Sequence, residues 1–245
     1  METTSPETVP PFPSPARPSR ARQAWTVAWL TLLAVLTWPA EAVLVFRFVD
    51  PPCTVMMLYK SASELLRGRS PVWRHENLPR RRVAPALYQA VIAAEDQRFF
   101  DHRGFDLVEI QKAREKHERR PRRPLRGAST LTQQVAKNLF LPPWRSFVRK
   151  GLEAYFTLWI ELLWPKSRIL EVYANIVEFA PGVYGAQAAA RHHFHKDARR
   201  LTRPEAALLA AVLPNPGRWS ASRPTPYIRQ RARWILGQMA PLPKE

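Results

Sequence analysis

The chain has 245 residues, of which 46% are hydrophobic and nine are Trp, enough apolar material for one or two domains with a substantial core. Its formal net charge of +18 favours an anionic partner, namely nucleic acid, an anionic membrane surface or a phosphorylated substrate. The single cysteine, Cys53, excludes an intramolecular disulfide and any cysteine-based metal cluster, and we interpret it as a small apolar residue.

The N-terminal part of the chain predicts a tail and a membrane anchor. Residues 1–22 are rich in Pro, Ser and Thr and lack an apolar period, which predicts a disordered segment. Residues 23–46 are mostly apolar and carry no charged residue except Glu41, and at about 1.5 Å per residue they are close to the minimum for crossing a bilayer. We interpret them as an uncleaved transmembrane helix with a cytoplasmic N-terminus, the alternatives being a cleaved signal peptide or a buried helix.

Residues 47–82 are predicted to connect this helix to a folded domain over residues 83–240. Asp50-Pro51-Pro52 breaks the apolar pattern, and an amphipathic helix is predicted from Thr54 to Leu66. That helix either lies on the membrane or packs on the domain.

The domain is predicted to be nearly all α, because strand-like alternation is rare and no repeat is present. Two prolines and a run of arginines make residues 118–126 a basic loop, either a solvated surface or a mobile flap over an anionic substrate. Helices are predicted over residues 85–100, 106–117, from Ser129 or Thr130 to Pro142, and over residues 147–164, 167–179, 206–213 and 227–239. The predicted N-caps are Asp106, Ser129 or Thr130, and Ser167, and Thr202 has capping-box spacing to Glu205.

A pair of carboxylates, Glu95 and Asp96, follows the apolar run of the first of these helices. Acidic side chains at the end of a buried helix are costly to bury unless they are paired or used in chemistry. The pattern therefore marks a candidate catalytic site, and a solvated helix end is the simpler alternative.

A second polar cluster lies on an otherwise apolar helix, where Arg149, Lys150 and Glu153 fall on one face. Arg binds phosphate oxygens in bidentate fashion and Lys acts as a point charge, so the cluster suits a pyrophosphate. A structural Arg149–Glu153 pair at i, i+4 is the alternative.

A series of motifs runs through the domain in order. The sequence resembles the peptidoglycan glycosyltransferases of glycosyltransferase family 51, most closely the monofunctional biosynthetic branch, which has a membrane anchor and no transpeptidase. The resemblance covers residues 83–239, with Ala128 and Ala174 as small departures. The motifs are Glu95-Asp96-x-x-Phe99-x-x-His102-x-Gly104, Gly127-Ala128-Ser129-Thr130-x-x-Gln133-Gln134-x-x-Lys137-Asn138, Arg149-Lys150-x-x-Glu153, Ile169-Leu170-Glu171-x-Tyr173-x-Asn175 with Gly182 and Gly185, and Glu205-Ala206-Ala207-x-Leu209-Ala210 with Pro214-Asn215-Pro216.

The resemblance implies a mainly α, lysozyme-like domain with a smaller membrane-facing lobe. It implies a reaction in which a lipid-linked glycan chain is transferred to the 4-hydroxyl of lipid II, with inversion at C1 and release of undecaprenyl pyrophosphate. Glu95 would be the general base, and Asp96 would support it, either structurally or by raising its proton affinity. His102 is interpreted as a structural hydrogen-bonding residue.

The resemblance also assigns the binding residues. Glu153 would either coordinate a divalent cation, Mg²⁺ or Mn²⁺, at the diphosphate or orient the basic residues around it. Gln133 and Gln134 have a buried structural role as an alternative. The pyrophosphate would meet Lys137, Arg145, Arg149 and Lys150, and the sugar groove would be lined by Ser129, Thr130, Gln133, Gln134 and Asn138.

The expected partners are lipid II, the lipid-linked chain, the membrane, and other cell-wall synthesis and division proteins, with the catalytic domain outside the bacterial cytoplasmic membrane. Two other classes compete. A lysozyme-type lytic transglycosylase or hydrolase also uses one prominent glutamate but leaves the basic cluster unexplained. A membrane-tethered protein that binds anionic ligands uses the positive charge, but the outward topology argues against nucleic acid.

Overall fold

The structure is a computed structural model that describes residues 19–71, 73–119, 129–144 and 146–243. Most of the predicted disordered tail, most of the basic loop, the Gly127-Ala128 pair and Arg145 lie outside the described residues. The chain divides into two compact units, residues 1–39 and residues 40–245.

The chain is mainly helical, as predicted. Residues 40–245 also contain a small sheet of short strands in the order β1-β3-β2, with β1 parallel and β2 antiparallel to β3. The helices are α1 (Arg20–Phe48), α2 (Val55–Leu66), α3 (Pro85–Glu95), α4 (Leu107–Arg119), α5 (Leu131–Phe140), α6 (Phe147–Leu163), α7 (Lys166–Ile176), α8 (Ala186–Phe194), α9 (Arg203–Val212) and α10 (Pro226–Gln238). The strands are β1 (Arg74–His75), β2 (Glu178–Ala180) and β3 (Val183–Tyr184).

Residues 23–46 are helical, as expected, but their hydropathy does not bear out the prediction that they span a membrane. Within the described residues, no helix combines the length and the apolar character that crossing a membrane requires. The Leu, Val and Ala residues of α1 are interspersed with Trp and Thr, and Pro39 and Glu41 lower its apolar character further.

The core of the second unit is built on two layers of helices. Helix α9 packs between α3 and α10, and α5 packs between α6 and α7. Each helix contributes an apolar face to one continuous cluster, in which Phe99, Leu131 and Tyr173 are among the largest fully buried side chains. Helices α3, α5, α6, α7 and α10 therefore meet around a shared interior.

Several local predictions are confirmed. Thr130 and Thr202 each close a capping box, in which the threonine oxygen accepts from a backbone N–H and the Gln133 or Glu205 side chain accepts in return. Asp106 accepts from the N–H groups of Val108 and Glu109 and so caps α4.

Other predicted boundaries are wrong. Helix α3 ends at Glu95 and not at residue 100, because Asp96 leaves the helical region and the chain then turns. Helix α7 begins at Lys166, with Pro165 and not Ser167 as its N-cap, and ends at Ile176, where the chain extends to form β2. Helix α8 was not predicted.

Candidate active site

Glu95 is the last residue of α3, and its side chain is 16% exposed. The side-chain amide of Gln134, on α5, donates to Oε2 of Glu95 at 2.9 Å. A guanidinium nitrogen of Arg231, on α10, lies 3.8 Å from Oε1. Three helices thus position the two oxygens of one carboxylate.

The environment of Glu95 suits a proton acceptor. Burial raises the pKa of its carboxyl, and the hydrogen bond from Gln134 and the positive charge of Arg231 offset part of that rise. A carboxylate with a raised pKa that stays ionised is a stronger base than a solvated glutamate.

Asp96 is turned away from Glu95 and is buried. Its Oδ1 lies 2.9 Å from Nε2 of His102, and its Oδ2 accepts from the backbone N–H of Leu131 at 3.0 Å. Asp96 therefore ties the turn after α3 to the first residue of α5, and His102 makes the structural hydrogen bond that the sequence suggested.

The start of α5 uses two of the predicted groove residues for its own structure. The hydroxyl of Thr130 donates to the carbonyl of Gly104 at 2.7 Å while also accepting from the N–H of Gln133, whose side chain completes the capping box. Ser129 is exposed and Asn138 is half-buried. The structural alternative fits Gln133, whereas Gln134 is turned towards Glu95.

The basic residues form a second centre around Glu153 on α6. The Glu153 side chain is 4% exposed, its Oε1 pairs with Lys150, and its Oε2 lies 3.4 Å from Arg149. Both oxygens of Glu153 thus face cations, which holds two positive charges on one side of the helix.

Lys137 on α5 links the two centres. Burial lowers the pKa of its ammonium, and the negative charges of Glu153 and Glu95 act against that shift. A partly buried ammonium near two carboxylates is placed to receive further negative charge from a ligand.

Candidate metal ligands are few in the described part of the chain. Glu153 does not fit a metal ligand here, since each of its oxygens faces Lys150 or Arg149. Among the described residues, ligand atoms of Asp96, His102 and Asp106 lie within 4.8 Å of one another, but both oxygens of Asp96 already accept hydrogen bonds.

Two residues of the site were missed from the sequence. Arg231 was interpreted only as part of a basic terminal helix, and Tyr173 only as part of a motif. The Tyr173 hydroxyl donates to Oε1 of Gln134 at 3.2 Å, and burial raises the pKa of that hydroxyl well above its usual range. Tyr173 could have been found from the sequence, because a polar tyrosine hydroxyl on the apolar face of a helix needs a partner. Nothing in the sequence around Arg231, apart from its charge, indicates a role in the site.

A largely buried carboxylate near a group of cations is an arrangement suited to deprotonating one substrate and stabilising an anionic leaving group of another. The sequence profile of the family described as Transglycosylase matches residues 64–240.

Relatives that carry the name biosynthetic peptidoglycan transglycosylase are similar over most of their length. The one from Aeromonas hydrophila subsp. hydrophila is 50% identical over 226 residues, which cover 92% of this chain and 94% of the relative. The Pseudomonas aeruginosa relative is 55% identical over 203 residues, with 80% and 84% covered. The Shewanella oneidensis relative is 49% identical over 221 residues, with 85% and 92% covered. The chain belongs to the transglycosylase family.

Proposed function

We propose that the protein is a peptidoglycan glycosyltransferase that polymerises glycan strands for the bacterial cell wall. It transfers the lipid-linked growing chain to the 4-hydroxyl of lipid II, with inversion at C1 and release of undecaprenyl pyrophosphate. The observation that carries the proposal is the arrangement of Glu95, Lys137 and Glu153, in which both carboxylates act on the Lys137 ammonium and Glu95 lies near the cationic residues.

Glu95 acts as the general base through Oε1. Its Oε2 is taken by the hydrogen bond from Gln134, and Arg231 stands at 3.8 Å from Oε1, beyond hydrogen-bond distance, so Oε1 is free to accept a proton. The acceptor O4–H proton passes to Oε1 while O4 bonds to C1 of the donor sugar. The C1–O bond to the diphosphate breaks, and its electron pair leaves on the diphosphate oxygen.

The leaving group needs charge neutralisation and no second carboxylic acid, unlike in a glycosidase. Lys137, Arg149 and Lys150 supply positive charge on neighbouring helices, and Glu153 holds the last two in place. Arg145 lies outside the described residues, and we assign it to the pyrophosphate-binding cations from the family resemblance alone.

The sugar groove is assigned to fewer residues than the sequence suggested. Thr130 and Gln133 hold the start of α5, so direct sugar contacts fall to Ser129 and Asn138, and Gln134 orients Glu95. Asp96 supports the base structurally, since its carboxylate bonds to His102 and to the start of α5.

A divalent cation is expected from the family resemblance. We propose no catalytic step through it, because the oxygens of Glu153 are already paired with cations. Orientation of the basic residues is therefore the role assigned to Glu153.

The reaction takes place at the outer face of the bacterial cytoplasmic membrane, because its substrates are membrane lipids. Exposed apolar side chains on α4 and α6 support a smaller, membrane-facing lobe in a lysozyme-like fold. These side chains are Leu107, Val108, Ile110, Phe147, Val148 and Leu152. Other cell-wall synthesis and division proteins are proposed as partners.

The proposal is tested by incubating the purified full-length chain with fluorescent lipid II or, separately, with preformed uncrosslinked strands. We expect lipid II to be converted to polymer with release of undecaprenyl pyrophosphate, and the strands to stay intact. Cleavage of the strands without polymer formation would show a lytic enzyme and overturn the proposal.

A further inference from the structure

The contact between Glu95 and Arg231 joins the end of α3 to the middle of α10. Helix α10 packs on both α3 and α9, and the Arg231 side chain is 24% exposed. Arg231 and Gln134 face different oxygens of the Glu95 carboxylate, Oε1 and Oε2. The base is therefore held between a neutral donor and a cation from separate helices.

We infer that Arg231 is a positioning residue for Glu95, which keeps the carboxylate ionised and fixes which of its oxygens meets the acceptor hydroxyl. The inference deepens the proposed function and rests on it, because it takes Glu95 as the base. It assigns a catalytic purpose to a residue of the C-terminal helix.

The charges around Glu95 favour this role. The groups that act on the carboxyl come from each element packed against it: Gln134 and Lys137 on α5, Arg231 on α10, and Asp96 in the turn after α3. Tyr173 on α7 lies within electrostatic reach as a neutral hydroxyl. Of these, only Lys137 and Arg231 are cationic.

Lys137 is a poor sole counter-charge for the base. Burial lowers the pKa of its ammonium, and that ammonium is shared with Glu153. The leaving diphosphate would also compete for it. A guanidinium stays charged under all physiological conditions, so Arg231 supplies the dependable positive charge.

The geometry leaves room for the acceptor. A separation of 3.8 Å is too long for a hydrogen bond, so Arg231 does not occupy the proton-accepting position of Oε1. Its Nε is buried and has no hydrogen-bond partner among the described residues, so packing rather than a bond at Nε places the guanidinium.

The neighbouring arginines of α10 do not share this position. Arg229 donates to the carbonyl of Pro224 at 2.6 Å, and Arg233 is exposed. Arg233 is therefore a matched control on the same helix, two positions away from Arg231.

The test compares wild type, Arg231→Gln, Arg231→Lys and Arg233→Gln in full-length protein, with kcat and KM for lipid II measured from about pH 5 to about pH 9. Loss of the cation raises the pKa of Glu95, so the acid limb of the kcat profile in Arg231→Gln should move up by about one pH unit. At a given pH on that acid limb the rate should fall about tenfold, with KM little changed and recovery at high pH. Arg231→Lys should be intermediate, and Arg233→Gln should match wild type.

A second readout needs no turnover. The titration of the Glu95 side-chain carboxyl is followed by NMR in ¹³C-glutamate-labelled wild type and Arg231→Gln, with Glu95→Gln to assign the signal. A higher carboxyl pKa in Arg231→Gln supports the inference even if lipid II is not polymerised, an outcome that would defeat only the proposed function. An unchanged carboxyl titration, or a change in KM alone in a variant with wild-type Tm, would overturn the inference.

Discussion

The side-chain amide of Gln134 donates to Oε2 of Glu95 at 2.9 Å, so a residue of α5 orients the last residue of α3. The ionised carboxylate of Glu95 can only accept hydrogen bonds, so the amide NH2 must face it, and the amide oxygen in turn accepts from the Tyr173 hydroxyl at 3.2 Å. A chain of hydrogen bonds thus runs from α7 through α5 to the carboxylate of Glu95.

Replacing Gln134 by Met removes a hydrogen bond that favours the ionised form of Glu95. The pKa of Glu95 should rise, so at pH values below that pKa the fraction of ionised Glu95 and the rate of polymerisation should each fall, by about tenfold for a rise of one pH unit. The pH dependence of kcat measures this, and activity should recover as the pH rises.

The milder change Tyr173→Phe leaves the donation from Gln134 to Glu95 possible but frees the amide to rotate. Its effect on the rate should be smaller than that of Gln134→Met. If kcat of Gln134→Met is lowered by the same factor at every pH, Gln134 does not act through the pKa of Glu95.

Glu95→Gln should stabilise the fold near neutral pH. The carboxyl has a raised pKa in the folded protein, so the native state binds more protons than the unfolded chain between the ordinary and the raised pKa, and stability falls as the pH rises through that window. Glutamine is neutral like the protonated carboxyl, so the variant does not lose this stability. The loss in the free energy of unfolding of wild type is about 1.4 kcal/mol for every tenfold increase in the proton affinity of the folded carboxylate.

The Tm of Glu95→Gln should therefore exceed that of wild type near neutral pH, and the gap should close below the ordinary pKa of a glutamate. A lower Tm for the variant at neutral pH would contradict the burial of an ionised carboxylate at this site.

Glu153→Gln separates the two roles considered for that residue. Neutralising Glu153 frees Arg149 and Lys150 from their shared partner, so the rate should fall by about a hundredfold with no rescue by added cation. The measurement is the rate of lipid II polymerisation at rising Mg²⁺ or Mn²⁺. Recovery at high cation concentration would instead make Glu153 a metal ligand.

A substitution at Gly185 tests the close backbone packing between the start of α8 and the end of α7. Its φ of +84° is unfavourable for other residues, and a Cβ there would lie 2.5 Å from the carbonyl oxygen of Asn175. Gly185→Ala should lower the free energy of unfolding by more than about 2 kcal/mol, measured by denaturant titration.

Gly151 is the matched control, because an added Cβ meets no atom within 4 Å. It lies in the interior of α6, so Gly151→Ala should stabilise the protein by roughly 0.5–1 kcal/mol. Equal effects of the two substitutions would contradict the close approach at Gly185.

The parts of the fold that depend on residues close together in the sequence could be predicted. The caps at Thr130, Thr202 and Asp106 follow from the chemistry of residues within one turn. The end of α3 at Glu95 was not predicted, because the apolar Phe99 and Phe100 suggest that the helix goes on. Tertiary bonds of Asp96 to His102 and to the backbone of Leu131 accompany the end of the helix.

The site was predictable as far as it lies in motifs. Glu95, Lys137 and Glu153 were named from sequence, and the structure brings them into electrostatic reach of one another. Arg231 was not named, because its role depends on how α10 packs on α3, and no local pattern encodes that contact. The strands were missed since two or three residues are too few for a periodic signal.

The rate of lipid II consumption by Glu95→Gln, compared with wild type near neutral pH, tests the central claim most directly. Loss of a general base predicts a fall of about a hundredfold to ten-thousandfold, with the Tm equal to or above that of wild type. A variant that consumes lipid II at close to the wild-type rate would show that Glu95 is not the base.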